Sequence, residues 1–517
     1  MSRTRVITAL AFLLIVLSIC CEMDQAAQST SGEELAARYC STCHQHVLPE
    51  ELPPHIWKNV LPSMGHRLGI YPEGFQYDSL FANGFTKEIA ESSGLYAADP
   101  QLSKQEWKAI ETYYADESRN YQPPTVDYDH KASIVNFRVK PALYSRRPPL
   151  TTMIKIDSAS NTVILADGKQ NVNALIYLDG ALALQEQFYI QSSPVKMLPW
   201  DNGVAILSTG STIYPHDFAN GQLEYVYTSN GSDRNNASKI ILDELRRPVD
   251  VVLTDRDRDG VQEWIICEFG NHLGSLSMFI PTNEGYVKSL LIDRAGAIKV
   301  EAVDLDEDGW QDLVVLMAQG REGLYFIRND QGVFLEAVPI LEFSPLMGST
   351  YFECVDWNGD DNLDILLTAG DNADQSPIVK AHHGIYVFEN MGSMLFEQSQ
   401  FFGLPGAYKA IAADFDGDRQ LEVVGISFFP DYRSESPADF VYLDNGETGS
   451  LTPYFLKDDY DGRWMVMDVG DLDGDQDLDV VLGSFVRFHP TGDTTGRFER
   501  WVKDGPSCIL LENKLID

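Results

Sequence analysis

The sequence predicts a multidomain protein in which a small all-α domain is followed by an all-β propeller. Two observations predict this fold class. Helix-start patterns flank a short cysteine motif near the beginning of the chain, and an acidic motif recurs five times in its second half. The chain has 517 residues, of which 44% are hydrophobic and 22% charged, as is typical of globular proteins of more than one domain. Its formal net charge of −38 argues against binding to nucleic acid or to an anionic membrane surface.

The N-terminus has the features of an export signal. Arg3 and Arg5 precede an apolar run from residue 6 to 19, which is short for a membrane-spanning helix and fits a signal-peptide core. We therefore expect residues 1–21 to be a signal peptide and the protein to be periplasmic or exposed at the cell surface. The end of the run resembles a bacterial lipoprotein signal, although a plain secretion signal or an uncleaved anchor stays open. The candidate lipidation sites are Cys20 and Cys21.

The most specific motif is Cys40-Ser41-Thr42-Cys43-His44, whose C-x-x-C-H spacing is typical of covalent haem c attachment. In such sites two thiols bond to the porphyrin and the following histidine supplies an imidazole to the iron. A zinc site would need a second cysteine pair, and a redox dithiol would need a βαβ context. The sequence offers neither around this motif, so it predicts haem c.

Two helices are predicted on either side of the motif. Ser31 with Glu34, and Ser103 with Glu106, form capping-box patterns, and apolar residues follow at helical spacing. On these residues the segment 31–120 resembles a class I cytochrome c.

The resemblance implies one-electron transfer and a methionine as the sixth iron ligand. Met64 is the first candidate, in a stretch from Leu61 to Gly65 that we expect to be a loop. His66 is the second candidate, and an open site is the third. His46 is too close to His44 to reach the opposite face of a haem easily.

Residues 121–149 are predicted to be a linker, because proline pairs occur near both of its ends. Within the linker, residues 134–139 alternate like a strand, which is a candidate for closing the domain that follows.

Five acidic nonapeptides begin at residues 255, 304, 356, 414 and 471, with oxygen-bearing side chains at positions 1, 3, 5 and 9. Hard oxygen ligands at this density suit Ca²⁺, and five copies favour metal binding over metal-free Asp-rich turns. An EF-hand would continue as a helix, whereas apolar strand-like runs follow these loops. The predicted ligands of about five Ca²⁺ ions are Asp255, Asp257, Asp259, Glu263, Asp304, Asp306, Asp308, Asp312, Asp356, Asn358, Asp360, Asp364, Asp414, Asp416, Asp418, Glu422, Asp471, Asp473, Asp475 and Asp479.

The repeat period of 49 to 58 residues predicts a closed array of sheets over residues 150–517. Two further units fit upstream without the acidic set, which gives seven blades, with six or eight as alternatives. The pattern resembles the FG-GAP (integrin-type, VCBS-like) repeat of bacterial exported proteins, and Phe269-Gly270 matches its name-giving pair once.

These observations predict an exported c-type cytochrome whose calcium-stabilised propeller docks a redox partner, a glycan or a surface protein. The first alternative is a haem-linked oxidoreductase, similar to sugar or alcohol dehydrogenases, whose propeller binds substrate. A weaker alternative is an adhesion or glycan-binding protein. Convergence of arginines, histidines and carboxylates at the propeller axis, on the face away from the acidic loops, would favour the enzyme.

Overall fold

The computed structural model describes most of the chain after the predicted signal peptide. Residues 1–21, including Cys20 and Cys21, lie outside the described residues. Within the described ranges, no helix combines the length and the apolarity needed to cross a bilayer. These ranges are residues 31–71, 76, 84–124, 132–169, 171–227, 238–373, 376–434, 437–446, 449–456, 460 and 462–515.

The chain divides into two compact units. The smaller unit comprises Met1–Thr42, Leu48–Phe75 and Ala97–Tyr121. The larger unit comprises Cys43–Val47, Gln76–Tyr96 and Gln122–Asp517. Cys40 therefore belongs to the smaller unit, whereas Cys43 and His44 belong to the larger one.

Both predicted capping boxes are present. The Ser31 hydroxyl accepts the backbone N–H of Glu34 at 3.1 Å, and the Glu34 carboxylate accepts that of Ser31 at 3.0 Å. Ser103 and Glu106 make the same pair of bonds. Each such cap typically stabilises a helix by about 1 kcal/mol. The helices are α1 (Gly32–Cys40), α2 (Pro54–Arg67), α3 (Gly84–Ser92) and α4 (Lys104–Glu117), with short 3-10 turns at Pro49–Glu51 and Ser118–Asn120.

Close contact between α1 and α4 depends on Gly32, because a methyl group there would overlap the carbonyl oxygen of Ala109. A Cβ at Gly65 in α2 would come within 2.8 Å of the Trp107 ring, so this helix also approaches α4 closely. The rings of Trp57 and Tyr114 lie 4.3 Å apart between the same two helices. The smaller unit is thus packed around α4.

The larger unit contains seven four-stranded antiparallel sheets, which confirms a seven-bladed propeller. Blade 1 contains β2 (Thr151–Asp157), β3 (Thr162–Asp167), β4 (Ala174–Asp179) and β5 (Leu184–Tyr189). Blade 2 contains β6 (Pro194–Trp200), β7 (Gly203–Ser208), β8 (Ala219–Tyr227) and β9 (Ser238–Arg246). Blade 3 contains β10 (Pro248–Thr254), β11 (Glu263–Glu268), β12 (Ser275–Thr282) and β13 (Gly285–Ile292). Blade 4 contains β14 (Ala297–Val303), β15 (Asp312–Met317), β16 (Gly323–Ile327) and β19 (Val338–Glu342), and a hairpin of β17 (Asn329–Asp330) and β18 (Val333–Phe334) precedes its last strand. Blade 5 contains β20 (Ser349–Val355), β21 (Asp364–Ala369), β22 (Gly384–Asn390) and β23 (Phe396–Gly403). Blade 6 contains β24 (Ala407–Ala413), β25 (Glu422–Ser427), β26 (Phe440–Asn445) and β27 (Leu451–Phe455).

Blade 7 contains strands from both ends of the propeller sequence. Its strands are β28 (Trp464–Gly470), β29 (Asp479–Ser484), β30 (Cys508–Asn513) and, outermost, β1 (Phe137–Pro141). β1 pairs antiparallel with β30, from Phe137 opposite Asn513 to Pro141 opposite Ile509. The ring is closed by this pairing, because one sheet holds the first and the last strand of the chain.

The second strands of six blades are buried along their whole length, which explains why they read as continuous apolar runs. The first strand of every blade carries a register shift after its first residue. Such a bulge bends the strand and increases its twist. The seven blades therefore share one local geometry, including the two that lack the acidic loop.

Carboxylates on the first strands connect neighbouring blades around the propeller axis. Four of them accept a backbone N–H from the first strand of the next blade, and lysines pair with three of these four. These charges were not identified from the sequence. The bonds are Asp250 with Val300 at 3.1 Å, Glu301 with Cys354 at 3.0 Å, Glu353 with Ala412 at 3.2 Å and Asp468 with Ile156 at 2.8 Å.

Candidate metal and haem sites

Each acidic loop connects the first and second strands of its blade, in blades 3 to 7. Residues at positions 4 and 6 of every loop have positive φ, and one of the two is glycine in each case. This left-handed geometry suits glycine and turns the chain twice within three residues. The pairs are Arg258 and Gly260, Glu307 and Gly309, Gly359 and Asp361, Gly417 and Arg419, and Gly474 and Gln476.

The first carboxylate of each loop accepts the backbone N–H of position 6, as Asp255 does from Gly260 at 3.0 Å. The fifth-position carboxylate accepts the N–H of position 7, as Asp259 does from Val261 at 2.7 Å. Side chains at positions 1 and 5 are thereby fixed by the loop backbone itself. All five loops share these bonds.

The ninth position begins the second strand and is buried in every loop. Its carboxylate accepts the backbone N–H of position 2 in all five. Burial, together with the negative charges of neighbouring acids, raises the pKa of Asp312 to about 6 and the pKa values of Glu422 and Asp479 to about 7. A cation in the loop would favour the charged form of these groups.

The predicted ligand sets converge to different extents. Ligand atoms from positions 1, 3 and 5 lie within 4.8 Å of one another in the first, second and fifth loops. In the fourth loop Asp414, Asp416 and Glu422 do so. In the third loop Asn358 contributes an amide, whose nitrogen donates to Asp360 at 3.2 Å. The structure does not group Glu263, Asp312 or Asp479 with the other acids of their loops.

Several loop oxygens are buried without a hydrogen-bond partner, and these support cation binding. Glu422 is 1% exposed, and its Oε1 has no partner although Oε2 accepts the N–H of Phe415 at 2.8 Å. Burying an unpaired carboxylate oxygen is costly, and a hard divalent cation would satisfy it. The other unpartnered oxygens are Asp255 Oδ1, Asp257 Oδ1 and Asp304 Oδ1.

Cys40 is the last residue of α1 and is half-buried, whereas Cys43 is exposed, and neither forms a disulfide. The Cys40 side chain hydrogen-bonds to Tyr114. Burial raises the pKa of this tyrosine, and the nearby Cys40 thiol raises it further. His44 is half-buried, with Nδ1 2.7 Å from the carbonyl oxygen of Gln45. Donation from Nδ1 to that carbonyl would leave the lone pair on Nε2.

The prediction of a loop around Met64 is wrong. Residues 61–65 lie inside α2, which continues through Pro62. A proline removes one helical hydrogen bond, but packing of the buried side chains Ile56, Trp57 and Leu61 maintains the helix. Met64 is half-buried, whereas His66 is 1% exposed and has its ring 5.0 Å from that of Tyr71.

On the face opposite the acidic loops, side chains fill the mouth of the propeller axis. Arg247 donates to the carbonyl oxygen of Ile213 at 2.9 Å and lies 4.7 Å from the centroid of the Phe269 ring. Arg463 donates to the carbonyl of Phe488 at 3.0 Å. Apolar residues from blades 1, 2, 6 and 7 pack together here. The neighbouring cavity, which Thr212 and Tyr214 help to line, has a volume of about 20 Å³ and can hold a water molecule.

Two polar groupings on this face were missed from the sequence, because each joins residues on a folded loop or on separate blades. Asp217 accepts three backbone N–H groups and the Nδ1 of His272, at 2.9 Å. Burial alone would raise the pKa of Asp217, but these hydrogen bonds lower it. His489, Asp493 and Glu499 come together beside a further helix, α5 (Arg497–Asp504), between β29 and β30.

Residues 304–367 match the FG-GAP-like repeat family. This segment spans the second and third acidic loops. Among solved structures, the chain is similar to BBS1N in complex with ARL6DN, with 11% identity, a TM-score of 0.42 and coverage of 75% of this chain and 99% of that one. It is also similar to the N-terminal domain of Nup159, with 9% identity, a TM-score of 0.42 and coverage of 73% and 96%. No curated protein matches the chain.

Proposed function

We propose that this protein is an exported electron-transfer protein, in which a covalent haem c is bound at Cys40, Cys43 and His44. The propeller would bind calcium and dock a protein or glycan partner. One observation carries the haem assignment. Two cysteines at haem-attachment spacing are not joined in a disulfide, and the adjacent imidazole has its Nδ1 at a backbone carbonyl.

The chain's own residues would bind and orient the group. The thiols of Cys40 and Cys43 would form thioether bonds, and both retain accessible surface. The carbonyl of Gln45 would hold the His44 ring in the tautomer that presents Nε2 to a metal, as backbone carbonyls behind metal-binding histidines commonly do. When bound, haem supplies one-electron redox chemistry.

Met64 is the preferred sixth ligand, with His66 as the alternative. Met64 is half-buried, so its thioether can turn without loss of a packed core position. His66 is almost fully buried, and its contact with Tyr71 would have to be broken before its ring could reach an iron. A methionine ligand would raise the reduction potential above that of a bis-histidine haem.

Calcium is the cation that the acidic loops suit best. Their side-chain donors are all oxygens, and the first and fifth positions of each loop are already oriented by its backbone. The buried and unpartnered oxygen of Glu422 is the observation that most strongly supports cation binding in these loops. We expect the bound ions to stabilise blades that carry these loops.

The alternative of a substrate-binding oxidoreductase has less support. Arginines do approach the axis on the expected face, but Arg247 and Arg463 use their donors on backbone carbonyls and stack on aromatic rings. Packed aromatic side chains from several blades occupy the same region. This arrangement favours a propeller that acts as a docking scaffold.

The test is expression of the full chain in a host with cytochrome c maturation, followed by intact-mass and optical spectroscopy. We expect one porphyrin adduct and a haem c spectrum. Both should be lost in the double variant Cys40→Ala, Cys43→Ala and retained in Ser41→Ala, which changes a residue between the cysteines. An unmodified wild-type polypeptide would exclude electron transfer and leave a calcium-binding scaffold. Reduction of the haem by added sugars or alcohols would favour the oxidoreductase instead.

A further inference from the structure

Guanidinium groups contact the predicted calcium ligands in the first two acidic loops. In blade 3, Arg256 Nε lies 3.2 Å from Glu263 Oε1, and its Nη2 lies 3.0 Å from Asp257 Oδ2. One guanidinium group thus bridges the ninth and third positions of that loop. Arg256 is itself the second residue of this loop, so the contact is local to blade 3.

A different arginine does the same in blade 4. Arg328 Nε lies 2.8 Å from Asp306 Oδ2, and its Nη2 lies 2.9 Å from Asp308 Oδ2. Arg328 directly follows strand β16 and approaches the loop from the third strand of the blade. A guanidinium group therefore bridges the third and fifth positions of the second loop.

Blades 5 to 7 have neither feature. Their second loop positions are the buried apolar residues Trp357, Phe415 and Leu472. Arg328 directly follows Ile327, which pairs with Leu313, the first apolar residue of the second strand. At the equivalent position, blades 5, 6 and 7 carry the acids Glu389, Asp444 and Glu512. Across the described residues, no lysine or arginine forms an ion pair with a predicted ligand of these three loops.

The acids place negative charge beside these loops. Glu389, Asp444 and Glu512 directly follow the residues that pair with position 10 of the third, fourth and fifth loops. The electrostatic environment of the five loops thus falls into two classes. Loops one and two already hold a positive charge. Among the described residues, loops three to five are in contact with none, and loops three and four have an additional negative charge nearby, whereas in blade 7 Glu512 is paired with Arg138 and Lys140.

We propose that the five loops form two classes of calcium site, with three of high affinity in blades 5 to 7 and two of low affinity in blades 3 and 4. This inference rests on the proposed calcium binding. A cation entering loop one or two must displace the bridging guanidinium group or remain close to it. Either course weakens binding, and we expect at least about a tenfold difference between the classes.

The inference also divides the propeller by its response to calcium. Arg256 and Arg328 neutralise part of the loop charge without a metal, so blades 3 and 4 stay ordered when calcium is removed. Blades 5 to 7 have no such substitute in the described part of the chain. Calcium removal would therefore act on the half of the ring that contains blade 7, where β1 pairs with β30.

The test is calorimetric titration of the chelator-treated full chain with CaCl₂. We expect three tight equivalents, followed by two that bind at least about tenfold more weakly. The variant Arg328→Met should raise the number of tight equivalents to four. Arg138→Met is the matched control, because Arg138 pairs with Glu512 at 3.3 Å and contacts no predicted ligand. It should leave the number at three.

A reciprocal variant covers the case in which Arg328→Met does not fold. Glu389→Arg places a guanidinium group opposite the third loop and should lower the tight equivalents to two, whereas Glu389→Gln should leave three. Five equivalents of equal affinity in the wild type would overturn the inference and leave calcium binding intact. Absence of any calcium binding would instead refute the calcium part of the proposed function.

Discussion

Asp468 in blade 7 accepts the backbone N–H of Ile156 in blade 1 at 2.8 Å, and so connects the first strands of the last and first blades. Its Oδ2 also lies 3.2 Å from Lys155 Nζ. Three other carboxylates make the same kind of bond between consecutive blades. Polar side chains therefore reinforce the ring near its axis, where backbone strands of different blades do not pair.

Replacing Asp468 with alanine should destabilise the propeller. The substitution leaves the N–H of Ile156 without its acceptor in a partly buried position, which typically costs about 1–3 kcal/mol. Chemical denaturation of the calcium-loaded protein measures this loss. Asp468→Asn keeps an acceptor oxygen, so its loss of stability should be less than half of the loss in Asp468→Ala. Equal losses in both variants would show that the charge, and not the hydrogen bond, connects the blades.

Lys409 should make stability depend on pH in the alkaline range. Burial lowers its pKa to about 8 from an ordinary value of 10.5, and Lys196 and Lys299 add to this effect while Asp468 and Glu353 oppose it. Between these two values the unfolded chain binds a proton that the folded chain does not. Stability should therefore rise with pH across that interval, by up to a few kcal/mol.

The variant Lys409→Met isolates this contribution. The difference in unfolding free energy between wild type and variant should increase in favour of the wild type as pH rises from 8 to 10.5. Lys503→Met, on an exposed side chain of α5, should follow the wild-type curve. A Lys409→Met curve parallel to that of the wild type would contradict the lowered pKa.

The blades and loops could be predicted from the sequence because their determinants are local. Position 9 of each acidic motif begins a fully buried strand, so one nonapeptide marks both a turn and a core strand. The predicted ligands Asp255 and Asp304 are oriented by bonds to residues five positions away. Short-range patterns of this kind are visible without a fold.

Features that join distant residues could not be predicted. The contact of Arg328 with Asp308 spans 20 residues and depends on how two strands pair. The bond between Asp468 and Ile156 spans 312 residues and requires the ring to close. Met64 was misplaced in a loop because proline at residue 62 is a helix-breaking signal, which tertiary packing of α2 overrides.

Glu422→Gln should have opposite effects with and without calcium. In the chelated protein it removes a charge from a buried, unpartnered oxygen, so the variant should be at least as stable as the wild type. In excess calcium the variant should be less stable, because one ligand set is impaired. Thermal unfolding under both conditions measures this reversal. Glu397→Gln, on the exposed face of β23, is the control and should show no reversal.

Gly32→Ala should weaken the contact between α1 and α4. The added methyl group overlaps the carbonyl oxygen of Ala109 and approaches Cβ of Tyr113 within 2.7 Å, so the helices must separate. Such overpacking costs about 1–3 kcal/mol. We expect lower thermal stability and less covalent haem in the purified protein. Gly446→Ala, where no atom lies within 4 Å of the added Cβ, should match the wild type in both measurements.

Met64→Ala should abolish the thioether-to-iron charge-transfer band of the oxidised protein and lower its reduction potential, because a methionine ligand raises that potential. Met391→Ala is the matched control, since this methionine is 60% exposed in the propeller, and it should leave both readouts unchanged. A band that survives in Met64→Ala would exclude Met64 as the ligand. Loss of the low-spin spectrum in His66→Ala alone would assign the sixth position to His66. That outcome would also require α2 to rearrange, because the His66 side chain is only 1% exposed and is packed inside the smaller unit.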